Sequence, residues 1–227
     1  MVVRPTAESA REVSEPSITR RLVLASGSPR RLELLRAAGF QPDVVSPRVA
    51  ELSGASGLVA DQLVLENARL KGRAAFDAAS VEGDVLLAAD TVVELDGRVF
   101  GKPETEQEAV SMLQGLAGKT HRVLTGVWMA WRRGLEKDVF EEWVERTEVL
   151  FHTRSEEFIR AYVKRVGSLD KAGGYAAQSD QGEMIAEVRG SFSSVIGLPM
   201  ERVTQVLQRW GLNPSGIAVT SMGSSSS

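Results

Sequence analysis

The stretch from Arg21 to Gly39, RLVLASGSPRRLELLRAAG, constrains the fold more than any other part of this 227-residue chain. It opens with a short apolar run, LVLA, which suits a buried strand, and continues through Ser-Gly-Ser to a proline. Ser28 suits the N-cap of a helix, and Pro29 suits its first position, where an N–H has no partner. Leucines at helical spacing follow, up to Gly39, a natural residue just beyond a helix C-terminus. The stretch therefore predicts a strand, a tight turn and a helix.

The first turn of this predicted helix carries two arginines in an unfavourable place. Arg30 and Arg31 fall near the positive end of the helix dipole, which disfavours each cation by about 0.3–1 kcal/mol. An anion in front of them would remove this cost. Backbone N–H groups, serine hydroxyls and two guanidinium groups at one point form a typical phosphate site. The alternative is that both arginines are solvated or paired with surface carboxylates.

Composition limits the classes of function. A net charge of −3 argues against nucleic-acid binding through a basic face, so an anion site must be a local concentration of positive charge. The chain has no cysteine, which excludes disulfides, thiolate zinc sites and a cysteine nucleophile, and its two histidines exclude a histidine-rich metal site. No apolar run approaches the ~20 residues that cross a bilayer, and residues 1–20 do not resemble a targeting signal. We therefore expect a cytoplasmic protein that acts on neither nucleic acid nor membrane.

We expect one domain over residues 21–211, flanked by disordered extensions at residues 1–20 and 212–227. The first extension mixes Glu, Ser, Pro and Arg without an apolar core, and the second is rich in serine. Within the domain, strands alternate with helices, and hairpins are inserted between them. This alternation predicts an α/β fold, a mixed twisted sheet with flanking helices and inserted β-hairpins.

Three hairpins are predicted. Asp96-Gly97 is a strong short-range hairpin signal. Two long β-type segments from His121 to Phe151 indicate a second hairpin, and the residues around Arg189-Gly190 indicate a third. Residues 168–182 lack periodicity, and a segment of this length without regular structure in a compact domain is often functional.

Five consecutive apolar residues, Val85 to Ala89, predict a strand that is buried on both faces and ends in Asp90. A carboxylate there is costly without a cation or hydrogen-bond donors nearby. Lys71 on a predicted helix, Lys102 in a loop and Glu51 in another loop offer two cations and a second carboxylate. Cations on phosphates, with carboxylates holding a divalent ion, are the usual parts of phosphoryl or nucleotidyl chemistry. Spacing alone does not show that these side chains converge, and each lysine and Glu51 has the alternative of a solvated surface position.

Other common catalytic patterns are missing from the sequence. No nucleophile–base triad is apparent, and there is neither a Walker-type loop nor a dinucleotide-binding glycine fingerprint. His121 follows Lys119-Thr120 at the start of a predicted strand, where we expect a structural hydrogen-bonding role.

The chain resembles the Maf family of nucleoside-triphosphate pyrophosphatases in several stretches that follow one another in the family's order. They are LVLASGSPRRLELL (22–35), AADTVVELDGRVFGKP (88–103), GKTHRVLTGV (118–127), DKAGGYAAQ (170–178) and GSFSSVIGLPM (190–200). The resemblance covers about residues 22–210. Several motifs in order are far more specific than any one of them.

The resemblance implies a fold like that of Maf proteins and inosine-triphosphate pyrophosphatases. It implies hydrolysis between the α- and β-phosphates of a nucleoside triphosphate, a divalent cation (Mg²⁺, with Mn²⁺ or Co²⁺ as alternatives) and a homodimer. Matched by position, the residues implied in catalysis are Asp90, Lys102 and Lys71. Those implied in substrate binding are Ser26, Arg30, Arg31, Thr91 and Gln178. Those implied in metal binding are Asp90 and Glu51.

Gln178 bears on the choice of base. Its amide offers both a donor and an acceptor, which suits the O4 and N3–H edge of uracil or thymine. The Tyr-Ala-Ala-Gln context resembles the branch of the family that acts on dTTP and UTP. The branch that acts on methylated guanine nucleotides reads closer to Phe-Lys-Ser-Glu here.

The chain departs from the family pattern in two places. Where the family often has Ser-Pro-Asp-Ile-Asp-Glu, residues 46–51 keep only the first two residues and the final glutamate, Glu51. Gln178 is followed by Ser-Asp-Gln before Gly182. Two alternatives therefore stand beside hydrolysis of dTTP and UTP: the same reaction on non-standard purine or methylated nucleotides, and a nucleotide-binding cell-division regulator with weak or no catalysis.

Overall fold

A mixed sheet of seven strands forms the centre of the fold in the computed structural model, which describes residues 20–79 and 81–214. The strands are β1 (Leu22–Ala25), β2 (Asp43–Val45), β3 (Val85–Leu95), β4 (Arg98–Phe100), β5 (Thr120–Trp131), β6 (Val139–Phe151) and β7 (Ile185–Arg189). Their order is β2-β1-β3-β5-β6-β7, with β4 also paired to β3. Strand β1 runs parallel to both β2 and β3, and the other pairs are antiparallel.

Within the described residues, six α-helices flank this sheet. They are α1 (Pro29–Ala37), α2 (Ala60–Ala79), α3 (Glu106–Leu116), α4 (Glu156–Val166), α5 (Phe192–Ile196) and α6 (Met200–Arg209). The α/β class predicted from the sequence, a mixed sheet with flanking helices and inserted hairpins, is confirmed. The expected disorder of the two ends falls on residues that lie almost wholly outside the described part of the chain, and it stays a prediction.

The stretch that opens the domain folds as predicted, with one difference. Pro29 takes the first position of α1, and Gly39 follows the helix with a φ of 85°. Ser28 occupies the N-cap, but its side chain accepts no capping hydrogen bond. The N–H groups of the first turn, which have no partner within a helix, are therefore not satisfied by this serine.

Two of the three predicted hairpins are confirmed, and the third is wrong. Asp96 and Gly97 both have positive φ values, 52° and 80°, as the tight turn between β3 and β4 requires. Strands β5 and β6 form the long hairpin. Beyond Gly190, however, the chain enters helix α5, because Ser191 caps it by accepting a hydrogen bond from the N–H of Ser194. A short apolar run does not distinguish a strand from a helix by periodicity.

Strand β3 sends alternate side chains to the two faces of the sheet. Leu86 and Ala88 pack on the face covered by α2, and Leu87 and Ala89 pack on the face covered by α1 and α6. By the same alternation, Asp90 and Thr91 point to opposite faces. Since β3 continues to Leu95, Asp90 lies in the middle of the strand, and its predicted place at the end of the strand is wrong.

The pairing of β3 leaves one edge open where the polar residues lie. The last residue of β3 that pairs with β1 is Leu87, and pairing with β4 begins at Val93. Between these two residues β3 is paired on its other edge, to β5. The open edge lies next to the carboxyl end of β1 and the N-terminus of α1, the usual place for a ligand in an α/β sheet.

Helix α2 lies unusually close to the sheet at Gly126, the residue of β5 opposite Asp90. A Cβ atom at Gly126 would lie 2.5 Å from the backbone carbonyl of Val64. The missing side chain therefore lets α2 approach β5 beside the position of Asp90 on the neighbouring strand β3.

Gly126→Ala is expected to lower the free energy of unfolding by about 1–3 kcal/mol, because backbone rather than a flexible side chain must move. The matched control is Gly115→Ala on α3, where a Cβ would meet no atom within 4 Å. There, alanine should stabilise the helix by up to about 1 kcal/mol. Urea unfolding of both variants measures the difference, and equal midpoints would contradict the close approach.

Candidate active site

One cleft beside the open edge of β3 brings the predicted site residues together. Arginines and lysines line its middle. The residues along its length include Ser26, Arg30, Arg31, Glu51, Lys71, Asp90, Thr91, Lys102 and Gln178. The geometry thus joins all nine, although they come from six separate segments of the chain.

The two ends of the cleft differ in character. One end is formed by the turn from Ser26 to Ser28, together with Glu51. The other end has apolar walls, including Val123 and Tyr175, and it also contains Gln178. The cleft therefore offers a polar, cationic part and an apolar part to a single ligand.

Arg31 is a buried cation that is held by neutral groups. Its Nε donates to the carbonyl of Gly197 at 2.9 Å, one terminal nitrogen donates to Ser26 Oγ at 3.0 Å, and the other donates to Thr91 Oγ1 at 3.1 Å. Burial lowers the pKa of the Arg31 guanidinium, although the Asp90 carboxylate acts in the opposite direction. Because arginine stays protonated, this site carries a buried positive charge that an anion would stabilise.

The hydrogen bonds around Thr91 fix the direction of its hydroxyl group. Thr125, which is fully buried, donates its single hydroxyl hydrogen to the carbonyl of Ser194 at 2.9 Å. Thr91 must then donate to Thr125, at 2.9 Å, and it accepts from Arg31. Thr91 therefore orients the guanidinium, and Thr125 orients Thr91. Thr125 was not among the predicted site residues, because its partners are far apart in the chain.

Arg30 differs from Arg31 in its surroundings. It pairs with the carboxylate of Asp170, and it also donates to the Asp170 carbonyl at 2.9 Å. Burial acts to raise the pKa of Asp170, but hydrogen bonds from Lys171 and Arg30 outweigh it and lower that pKa. The alternative of pairing with a surface carboxylate is therefore observed for Arg30 and not for Arg31. Asp170 and Lys171 were not among the predicted site residues.

Lys71 lies between the two predicted carboxylates. Its Nζ is 2.8 Å from Asp90 Oδ1 and 2.9 Å from Glu51 Oε2. The Lys71 and Asp90 side chains are almost buried, at 10% and 11% exposed, whereas Glu51 is 48% exposed. The surface alternative is thus wrong for Lys71, which supplies the cation that a carboxylate at Asp90 requires.

Asn67 is a buried polar neighbour that the sequence analysis missed. It lies on α2, one turn before Lys71, and its Nδ2 donates to Asp90 Oδ2 at 3.0 Å. Residues four apart on a helix share a face, so the spacing of Asn67 and Lys71 could have indicated that both side chains face the site.

The carboxylates fit a cation that is bound jointly with a phosphorylated ligand. Within residues 20–79 and 81–214, no group of three or more His, Asp or Glu side chains could hold a metal ion alone. Asp90 and Glu51 nevertheless reach the same lysine nitrogen, so their carboxylates converge at one point. Magnesium commonly takes one or two carboxylates and completes its shell with phosphate oxygens and water. The donor set fits that arrangement and does not fit an all-protein metal cage.

The loop that carries Gln178 contacts helix α1. Gln178 Nε2 donates to Glu33 Oε2 at 3.0 Å, and both side chains are exposed. The contact leaves the amide oxygen of Gln178 as an acceptor.

His121 contacts Tyr175, which lies in the same loop as Gln178. Its Nε2 lies 3.2 Å from the Tyr175 hydroxyl, and its ring packs edge-on against Phe151. Burial lowers the pKa of His121 to about 4. These contacts agree with the expected structural role.

We expect the pH dependence of stability to report the burial of His121. Between about pH 6.5 and about pH 4, this histidine is protonated in the unfolded chain but not in the folded chain. The free energy of unfolding should therefore fall by about 2 kcal/mol between pH 7.5 and pH 5 from this group alone. Urea unfolding of His121→Gln should lack this component. His152→Gln is the matched control, and an unchanged pH slope in His121→Gln would contradict the assignment.

Taken together, an open sheet edge, a buried guanidinium, several further cations and two converging carboxylates define a class: an α/β protein that binds a polyanionic ligand with an apolar part. Comparison with known proteins makes this class specific. The chain belongs to the Maf-like protein family, whose model matches residues 21–210. The resemblance inferred from the sequence motifs is thereby confirmed.

Named relatives cover most of the chain. A dTTP/UTP pyrophosphatase from Bacillus cereus (strain AH820) is 40% identical over 194 residues, which is 86% of this chain and 97% of that protein. A dTTP/UTP pyrophosphatase from Bacillus thuringiensis subsp. konkukian is similar to the same extent. Among solved structures, a HAM1 protein from Coxiella burnetii is 18% identical with a TM-score of 0.43, covering 84% of this chain and 100% of that one.

Among residues 20–79 and 81–214, no helix is both long enough and apolar enough to cross a bilayer.

Proposed function

We propose that this protein is a nucleoside-triphosphate pyrophosphatase that hydrolyses dTTP and UTP to the monophosphate and pyrophosphate. One observation carries the proposal: Lys71 lies between Asp90 and Glu51 in the same cleft as Arg30, Arg31 and Lys102. The names of the 40% identical relatives support this substrate class.

In this proposal the polar end of the cleft binds the triphosphate. Arg31 is the central anion partner, because its buried charge has only neutral groups as hydrogen-bond acceptors. Ser26 Oγ accepts from both Arg31 and the N–H of Ser28, so its own hydrogen is directed elsewhere and can be donated to a phosphate. The uncapped first turn of α1 adds backbone N–H donors. Arg30 and Lys102 neutralise further phosphate charge.

The carboxylates and Lys71 act at the α–β linkage. A divalent cation, which we propose to be Mg²⁺ held by Asp90 and Glu51, would polarise phosphate oxygens and lower the pKa of a bound water. Asp90 and Glu51 orient the attacking water, and one of them accepts its proton. Lys71 stabilises the negative charge that develops on the phosphate oxygens. Direct attack by water needs no covalent intermediate with the protein.

The apolar end of the cleft binds the base. Val123 and Tyr175 exclude water from the ring, and Gln178 reads its polar edge. The Gln178 oxygen suits the N3–H of uracil or thymine, and cytosine lacks this donor.

Pyrophosphate release across a nucleotide panel tests the function. The panel contains dTTP, UTP, dCTP, ITP and 7-methyl-GTP, each with Mg²⁺, Mn²⁺, Co²⁺ or EDTA. The proposal requires that dTTP and UTP have the highest kcat/KM and that EDTA removes turnover. Preference for ITP or 7-methyl-GTP would favour the purine alternative. Tight nucleotide binding without turnover would favour the regulatory alternative.

The assembly and compartment are part of the same proposal. We infer a cytoplasmic homodimer from the family resemblance. Its partner is then a small nucleotide, in agreement with a net charge of −3. Size-exclusion chromatography with light scattering tests the dimer, and a monomer mass would refute it.

Gln178→Leu is expected to reduce the preference for dTTP over dCTP, measured as the ratio of kcat/KM values, by about tenfold or more. Leucine has a similar size but lacks the amide group that would hydrogen-bond to the base. Glutamate is a poorer choice, because Glu33 lies 3.0 Å from the Gln178 nitrogen and would repel it. Gln181→Leu, an exposed position in the same loop, is the matched control. An unchanged ratio in Gln178→Leu would place base recognition elsewhere.

A further inference from the structure

Asn67 is almost completely buried, with 2% of its surface exposed, and it joins three parts of the chain. Its Oδ1 accepts from the Leu52 N–H at 2.8 Å, and its Nδ2 donates to the Leu52 carbonyl at 3.0 Å. The same Nδ2 donates its second hydrogen to Asp90 Oδ2 at 3.0 Å. One side chain of α2 thus holds both polar groups of one backbone residue and one oxygen of the candidate catalytic carboxylate.

The clamped residue lies in a segment that has little else to hold it. Residues 46–53 form neither helix nor strand, and the Leu52 side chain is 39% exposed, so burial of apolar surface contributes little to its position. The neighbouring Glu51 is 48% exposed and pairs with Lys71. An ion pair with a half-exposed partner is weak because water screens it. The two backbone hydrogen bonds to Asn67 are therefore the better determinant of where Glu51 lies.

Asp90 is fixed by the same side chain. Its Oδ1 contacts Lys71 and its Oδ2 contacts Asn67, so both oxygens are engaged and the plane of the carboxylate is set. Asn67 has used both amide hydrogens, and it has no donor left for a ligand. Its contribution to a reaction must therefore pass through Asp90 and Glu51.

We propose that Asn67 is a positioning residue that couples the Glu51 loop to Asp90, so that the two carboxylates converge at Lys71. This inference rests on the proposed function, since it assigns Asn67 a part in that reaction. Groups that orient the side chains around a bound cation commonly change its affinity or the activity by 10- to 100-fold.

Asn67→Leu tests the clamp, because leucine has nearly the same shape and makes none of the three hydrogen bonds. Hydrogen exchange of the Leu52 amide, followed without any nucleotide, should become at least about tenfold faster. Gln62→Leu, at an exposed position of the same helix, is the matched control and should leave this rate unchanged.

Kinetics of the same variants separate positioning from general support of the fold. For Asn67→Leu with dTTP, kcat should fall by about 10- to 100-fold and the half-saturating Mg²⁺ concentration should rise by a similar factor. The KM for dTTP should change by less than about threefold, because the arginines and Lys102 remain. A direct titration of the protein with Mg²⁺ and a non-hydrolysable dTTP analogue should show the same loss of metal affinity without turnover.

The outcomes are distinct. Unchanged exchange at Leu52 in Asn67→Leu overturns the clamp. Faster exchange with unchanged kcat and Mg²⁺ dependence overturns the positioning role while the proposed function stands. If the wild-type protein turns over no nucleotide, the proposed function fails and this inference falls with it, and the wild-type assay alone shows which case applies.

Discussion

Asp90→Asn is expected to lower kcat for dTTP by about 10²–10⁴-fold while the protein remains folded. The substitution keeps the shape of the side chain and removes the negative charge that Lys71 neutralises at 2.8 Å. It also turns one of the two carboxylate oxygens into a donor, which must then face either the Lys71 ammonium or the Asn67 amide. Metal binding and proton acceptance at this position both require the carboxylate, so both are lost.

The fold should tolerate this change. Lys71 keeps its ion pair with Glu51, and the lost hydrogen bond costs about 1–3 kcal/mol. Asp96→Asn is the matched control, because Asp96 is exposed in the β3–β4 turn and asparagine accepts its positive φ of 52°. That variant should keep wild-type kcat. Near-normal turnover in Asp90→Asn would remove Asp90 from the reaction and leave Glu51 as the carboxylate to test.

Local sequence patterns correctly predicted most of the elements that depend on interactions between residues close in sequence. The strand, turn and helix from Leu22 to Ala37 follow from an apolar run, a proline at the first helical position and a glycine after the last turn. The same holds for the turn at Asp96-Gly97. The error beyond Gly190 arose because five residues of helix α5 are too few to show a helical period. A serine cap, which is weak evidence in a sequence, decided the structure there.

The candidate site was only partly predictable, because its side chains meet through contacts between distant parts of the chain. Arg30 and Arg31 are adjacent in sequence, yet Arg30 pairs with Asp170 near the surface and Arg31 is buried against Gly197 and Thr91. A pattern that treats them as equal phosphate ligands misses this difference. It follows because two successive side chains of α1 point in directions about 100° apart. Different parts of the chain, residues 168–174 and 197, therefore reach the two arginines.

The difference between the two arginines leads to a second large effect. Arg31→Lys is expected to lower kcat/KM by about 10²–10³-fold, although the charge is conserved. A lysine has one nitrogen, and it cannot donate at once to the Gly197 carbonyl, Ser26 Oγ and Thr91 Oγ1. It therefore leaves buried acceptors without donors and no longer holds its charge in a fixed plane. Steady-state kinetics with dTTP measure the loss.

Two conservative changes on the same helix show whether geometry or charge is responsible for the loss of kcat/KM in Arg31→Lys. Arg30→Lys alters a cation that pairs with the exposed Asp170, and a lysine can keep that pairing, so we expect a loss of about tenfold or less. Arg36→Lys lies on the exposed face in the last turn of α1 and should have no effect. If Arg31→Lys loses no more activity than Arg30→Lys, only the charge at Arg31 matters. The hydrogen bonds from Thr125 through Thr91 to the guanidinium would then have no part in binding the phosphates.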